Sequence, residues 1–167
     1  LNKLKTGQKI IFTIDQSNNF VKNFIFQISN TKKIYLTRGY SEKEFDQKIL
    51  VTKLNKKIIY KENTILNSLY NSASAQKIPA SVIIEFARIY GFQVDFQRDI
   101  RKKDSFQILY EAFIDGNNKV IETGNIIFAN LKLSGEDNSL YYFDSKKSEG
   151  HYDKNGKSVK KALMKTP

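Results

Sequence analysis

The residues nearest to a chemical motif lie together in Gly150-His151-Tyr152-Asp153-Lys154-Asn155-Gly156-Lys157-Ser158. The Gly-Lys-Ser ending is that of a phosphate loop, whose consecutive backbone N–H groups curl around phosphate oxygens. That loop needs four residues between its glycines, and here there are five. Asn155-Gly156 is more economically a hairpin turn. His151, with Glu149 and Asp153 close by, has the residue types of a metal ligand or an acid–base group. It is the single histidine, however, and cysteine is absent, whereas a catalytic zinc usually takes two or three His. Within so polar a turn, His151 is expected to be exposed and chemically idle.

Asp95, Asp99 and Asp104 could suggest paired carboxylates. Arg98, Arg101, Lys102 and Lys103 are interleaved with them, which favours surface ion pairs and turn capping. Serine is plentiful, yet no Gly-x-Ser-x-Gly elbow occurs. The aromatic complement of 12 Phe and 9 Tyr falls mostly at strand-alternating positions, where core packing is the default. In Tyr141-Tyr142 one ring must lie on each face of a strand, so at most one is free for a ligand. The candidate surface-binding residues are Tyr141, Tyr142, Arg101, Lys102 and Lys103.

A formal net charge of +11 would attract anionic polymers. The lysines are nevertheless spread along the chain in pairs and triplets, as an AT-rich gene rich in Lys, Ile and Asn codons would place them. No apolar run approaches the length of a membrane span. The 167 residues, 40% of them hydrophobic, suffice to bury a core.

The elements that must position these residues follow from periodicity. Ile10, Phe12 and Ile14 alternate, Ser17-Asn18-Asn19 turns, and Phe24, Phe26 and Ile28 resume the alternation. Ser29-Asn30-Thr31 leads to Ile34-Tyr35-Leu36, then to Phe45 to Val51, and Asn55-Lys56 separates these from Ile58-Ile59-Tyr60. This predicts a β-meander over 8–61. Leu66, Leu69, Tyr70 and Ala73 have helical spacing, as do Val82, Ile83, Phe86, Ile89 and Tyr90 after Pro79, with Gly91 placed for a left-handed stop. A helix pair over 66–91 results. Phe106, Ile108 and Tyr110 begin a set of hairpins over 94–151, with turns at Asp115-Gly116-Asn117-Asn118 and Ser134 to Asn138, and one long strand or two interrupted near Gly124. The predicted class is α+β: antiparallel sheet with an inserted pair of short helices packed on it. One domain is expected over 1–151, with 152–167 as a connector.

Ile78-Pro79-Ala80-Ser81-Val82-Ile83-Ile84-Glu85-Phe86-Ala87-Arg88-Ile89-Tyr90-Gly91, followed by Val94-Asp95-Phe96-Gln97-Arg98-Asp99-Ile100, resembles the accessory region before the catalytic domain of LytM-type (lysostaphin-like) zinc murein DD-endopeptidases of Gram-negative bacteria. There a helix pair runs into a strand like this last segment and then a "GD-x-F" turn. Here that turn reads Lys103-Asp104-Ser105-Phe106, with Lys103 where the family usually has Gly. Leu4-Lys5-Thr6-Gly7-Gln8, Asn67 to Ala73 and the closing Tyr152 to Pro167 resemble family segments in the same order.

The resemblance implies a periplasmic or cell-envelope protein whose complete form cleaves peptidoglycan cross-links with one zinc ion. The family's H-x-x-x-D and H-x-H zinc motifs match nothing in this sequence, so zinc is expected only in a catalytic domain beyond Pro167. With Leu1 at the start, both ends are expected to be cuts. The implied role is a non-catalytic domain that positions or gates the catalytic domain of its own polypeptide. The alternatives are a peptidoglycan-binding module acting through a basic, aromatic surface and a basic nucleic-acid-binding domain. Nucleic acid is not the expected partner.

Overall fold

The computed structural model describes residues 9–39, 44–145 and 148–159, so Leu4 to Gln8 and residues 160–167 lie outside the described residues. Among the described residues nine strands sort into two antiparallel sheets, and two helices lie in the chain between the fifth and sixth strands, both of which belong to the second sheet.

The first sheet is a meander of β1 (Ile10–Ile14), β2 (Val21–Gln27), β3 (Lys32–Arg38) and β4 (Phe45–Val51). Its register puts Ile10, Phe26, Ile34 and Ile49 in one cross-strand row and Phe12, Phe24, Leu36 and Gln47 in the next. The Asp15 carboxylate shapes the β1–β2 turn by accepting the Ser17 N–H at 2.9 Å, and Asn19 takes a φ of +58°. Among the described residues none from Lys9 to Leu54 is buried.

The meander ends at Val51 instead of continuing to 61. Asn55-Lys56, read as a separator, instead opens β5 (Asn55–Thr64), which belongs to the second sheet beside β6 (Ser105–Ile114), β7 (Val120–Leu133), β8 (Glu136–Ser145) and β9 (Ser148–Tyr152). Period-two alternation identifies a strand without naming its partner, which is why one continuous meander was expected. The chain accordingly forms two compact units, residues up to Asn55 with Ile114–Ile121, and Lys56–Phe113 with Glu122 onward, where one domain was expected over 1–151.

In the second unit α1 (Leu69–Ala75) starts at Ser68, whose hydroxyl accepts the Asn71 N–H at 3.2 Å. Leu66, assigned to this helix from spacing, precedes it and is 60% exposed. In α2 (Ala80–Tyr90), the expected face of Val82, Ile83, Phe86, Ile89 and Tyr90 is buried. Gly91 does not make the left-handed stop: its φ of −59° continues the right-handed turn, and the Tyr90 carbonyl accepts from both Gln93 and Val94. Val94 to Ile100 is likewise turn, not strand, because Asp95 accepts the Gln97 N–H at 3.0 Å and Asp99 accepts the Asp95 N–H at 2.7 Å.

β6 alternates strictly, with Phe106, Ile108, Tyr110, Ala112 and Ile114 buried and the residues between them half-exposed. The Phe86 ring meets Tyr90 at 4.9 Å and Phe106 at 6.2 Å between centroids, and the Tyr90 hydroxyl donates to the Asn138 carbonyl of β8. Burial pushes the Tyr90 phenol far above its ordinary pKa, so it stays a donor.

β7 is one strand through Gly124, where a Cβ would come within 2.9 Å of the Glu111 Cβ. The β7–β8 turn is tighter than the predicted Ser134 to Asn138. Leu133 pairs with Glu136, and Ser134 and Gly135 both take positive φ, as a two-residue type I′ hairpin requires. Of the expected connector, Tyr152 ends β9 and residues 153–159 fold back on that strand. Tyr152 bridges to Ser158, the Val159 N–H donates to the His151 carbonyl at 3.0 Å, and Ser158 and Val159 are buried. No helix among the described residues is long and apolar enough to cross a membrane.

Candidate functional site

The segment that invited chemistry is structural. Asp153 Oδ1 accepts the N–H groups of Asn155 and Lys157 at 2.9 and 2.8 Å, and Gly156 supplies the left-handed position at φ +75°. The loop's N–H groups are thus spent on a carboxylate of the chain itself. His151, expected to be exposed, is only 9% exposed, because β9 points it to the covered face of the sheet. Its Nε2 lies 2.8 Å from the Ile126 carbonyl, which can only accept, so Nε2 carries the proton. The ring also packs on Tyr142 at 5.4 Å. Among the described residues no group of three His, Cys, Asp or Glu side chains is placed to hold a metal, and the sequence's single histidine could supply one ligand where a catalytic zinc usually takes two or three, so the described residues do not fit zinc.

The three aspartates cap turns. Asp104 is buried and joins two loops, accepting the Arg101 N–H at 2.7 Å and the Ser134 N–H at 2.8 Å. Arg101, Lys102 and Lys103 are exposed in the loop before β6, where Lys103 takes a φ of +83°.

Tyr141 and Tyr142 face opposite ways on β8. Tyr142 donates to Glu149 at 2.8 Å, and its pKa is pushed up to about 12, first by burial and then by that carboxylate. Tyr141, 48% exposed, packs against Phe128 of β7 at 5.3 Å on the open face of the second sheet. The five residues singled out from sequence are therefore not one site: Tyr141 stands on the open face, Tyr142 on the other, and the basic triplet in a separate loop.

The open face carries what sequence reasoning missed. The Tyr60 hydroxyl donates to Glu62 Oε2 at 2.6 Å, and Gln107 Nε2 reaches the same oxygen at 3.1 Å. Asn130 Nδ2 donates to Gln107 Oε1 at 3.3 Å and to Asp137 Oδ1 at 2.7 Å, while Ser139 donates to Asn130 Oδ1 at 3.3 Å. These bonds make a ribbon of planar polar groups across β5, β6, β7 and β8. The Tyr60 hydrogen bond is the main cause holding the Glu62 carboxyl below its ordinary pKa, so it is ionised at neutral pH.

Asn130 is buried, yet both its amide protons are used. Over the ribbon lies a depression of about 420 Å³ floored by Gln107, Asn130, Asp137 and Ser139 and walled by Phe128. A second of about 330 Å³ adjoins it at Glu62 and Gln107. Asn130 amid the otherwise apolar residues Ile126 to Leu131 was the signal that could have found it. A separate apolar groove of about 350 Å³ lies between α1, α2 and the turn after them, lined by Tyr70, Ile83, Ile84 and Phe96.

Compared with known proteins, the chain is 33% identical over an alignment of 170 positions, covering all of it, to the peptidoglycan DD-endopeptidase ShyC of Vibrio cholerae. The chain is related along its whole length to a peptidoglycan DD-endopeptidase. It spans 37% of that relative. The fold is shared with a zinc-containing peptidase from Vibrio cholerae, at a TM-score of 0.60 and 20% identity over 93% of this chain and 46% of that one. It is shared also with Helicobacter pylori Csd3, at a TM-score of 0.56 and 17% identity over 86% of this chain and 38% of that one. No family model matches the sequence.

Proposed function

We propose that this endopeptidase-related chain is a non-catalytic accessory domain of a peptidoglycan-hydrolysing zinc metallopeptidase of the LytM type, in the periplasm or cell envelope. It acts on the catalytic domain of its own polypeptide by positioning or gating it. The observation that carries the reading is the 33% identity along the whole chain to a peptidoglycan DD-endopeptidase. The side chains support a non-catalytic role, since His151 and Asp104 are engaged in holding backbone. Zinc would belong to the catalytic domain, whose chemistry it would supply there.

We read the two helices as one layer on the second sheet. The Phe86–Phe106 contact supports this for α2, and the 3.1 Å bond from Asn63 Nδ2 of β5 to the Ser72 carbonyl supports it for α1. Such a layer gives the domain a stiff frame against which a neighbour can be held or released. Titrating a separately produced catalytic domain with this chain, while following binding and the hydrolysis of cross-linked peptidoglycan, tests the role. Saturable association with a changed hydrolysis rate is expected; no association and an unchanged rate would refute positioning and gating alike.

A further inference from the structure

We propose that the open face of the β5–β9 sheet is a binding site for a neutral glycan strand, with sugar rings against the Phe128–Tyr141 pair and hydroxyl or acetamido groups on the Glu62–Gln107–Asn130–Asp137 ribbon. Naming that glycan as the N-acetylated strand of peptidoglycan rests on the proposed function. The site itself rests on geometry.

A pyranose has an apolar face of C–H groups and an equatorial rim of hydroxyls that both donate and accept. Its complement is an aromatic surface beside planar carboxylates and amides, which offer acceptors and donors in fixed directions. Phe128 and Tyr141 supply the aromatic surface, and the edge-on Phe143–Tyr152 pair at 6.2 Å extends it onto β9, with Phe143 57% exposed. The ribbon beside them is preorganised, since Asn130 is fixed through both its amide protons and fixes Gln107 and Asp137 in turn. Little side-chain entropy would be lost on binding. The depression over the ribbon leaves room for a ring above these groups.

Charge narrows the ligand class. Although the chain carries a net +11, this face sets the carboxylates of Glu62, Asp137 and Glu111 against Lys132 and Lys56. Lys132 lies 4.0 Å from Asp137, so each can still engage a hydroxyl. A polyphosphate backbone would meet repulsion here, whereas a neutral polyhydroxylated chain would not. The ribbon crosses four strands, about 14 Å from β5 to β8, the length of a short oligosaccharide.

The test is an amide-resolved NMR titration of this chain with a β-1,4-linked N-acetylglucosamine tetramer, run in parallel with a murein stem peptide and a single-stranded oligonucleotide. The expected result is sugar-induced shifts on β6, β7 and β8, with Tyr141→Ala and Asp137→Ala each weakening binding about tenfold. Tyr141→Phe should retain affinity, and so should Phe92→Ala, which lies in the turn after α2 and is 54% exposed. Amide dispersion in each variant's spectrum reports that it is folded. Absence of shifts, shifts confined to the groove between α1 and α2, unweakened binding by folded Tyr141→Ala, or the same shifts with the peptide or oligonucleotide would overturn the proposal. Sugar binding with no effect on the catalytic domain would refute only gating and positioning; an effect on that domain without sugar binding would refute only this site.

Discussion

Lys103 holds its backbone in a conformation that suits a residue without a Cβ. At φ +83° a lysine bears a left-handed cost of about 1–2 kcal/mol, while glycine would bear roughly 0.5–1 kcal/mol of extra chain entropy. The first term wins, so Lys103→Gly should stabilise the chain by about 0.5 kcal/mol, read as a raised urea midpoint at unchanged slope. The Lys103 N–H, bonded to the Ile65 carbonyl at 3.0 Å, survives the change. A lowered midpoint would mean that the lysine side chain contributes more than the strain costs. Asp104, next along the chain, should behave oppositely. Asp104→Ala leaves the Arg101 and Ser134 N–H groups without their acceptor and should cost about 1–3 kcal/mol by the same measurement.

Among the elements, β7 shows what a single glycine permits. Alanine at Gly124 would put its Cβ 2.5 Å from Glu111 Oε2 and 2.9 Å from Glu111 Cβ, and only the carboxylate end can swing away. Gly124→Ala should therefore destabilise the β6–β7 pair by about 1–3 kcal/mol in urea unfolding. The Glu111 carboxylate pairs with Lys56, which is the largest cause holding its pKa below the ordinary 4.5. A folded-state pKa below the unfolded one gives stability that is present above the unfolded value and lost as pH falls through the folded one. The urea-midpoint difference between the native chain and Glu111→Gln should thus shrink on acidification from pH 6 through the carboxylate range. A difference constant with pH would exclude the ion pair as its source.

The same elements mark how much the sequence disclosed. Hairpins closed by Asp15, Asp115 and Asp153, and the apolar face of α2, were legible because turn chemistry and helical spacing are local. The move of β5 into the second sheet was not, since pairing is a long-range choice. Nor was the polar ribbon, because Glu62, Gln107 and the hairpin that carries Asn130 and Asp137 lie far apart in the chain and meet only through strand register. His151 was misread for a related reason: its burial is decided by its β8 partner, not by its polar sequence neighbours.

For the whole molecule, the two units differ in what holds them. The second buries Tyr90 and Tyr110 together with Phe86, Phe106, Ile108 and Leu131, the last four each worth about 1.5–3 kcal/mol of transfer free energy, whereas in β1–β4 no described residue is buried. Rows such as Phe12, Phe24 and Leu36 do shield one another in part, and the Phe12 and Phe24 rings meet at 5.2 Å. Phe12 nonetheless remains 55% exposed, so opening the meander gives up far less buried apolar surface than opening β6–β8. Local opening free energies follow buried contacts. Hydrogen exchange followed by mass spectrometry should therefore show peptides from 10–51 losing protection well before peptides from 105–145, with a separate, earlier step for the meander on heating. Equal protection in both, with one thermal transition, would mean that the meander derives its stability from outside its own four strands.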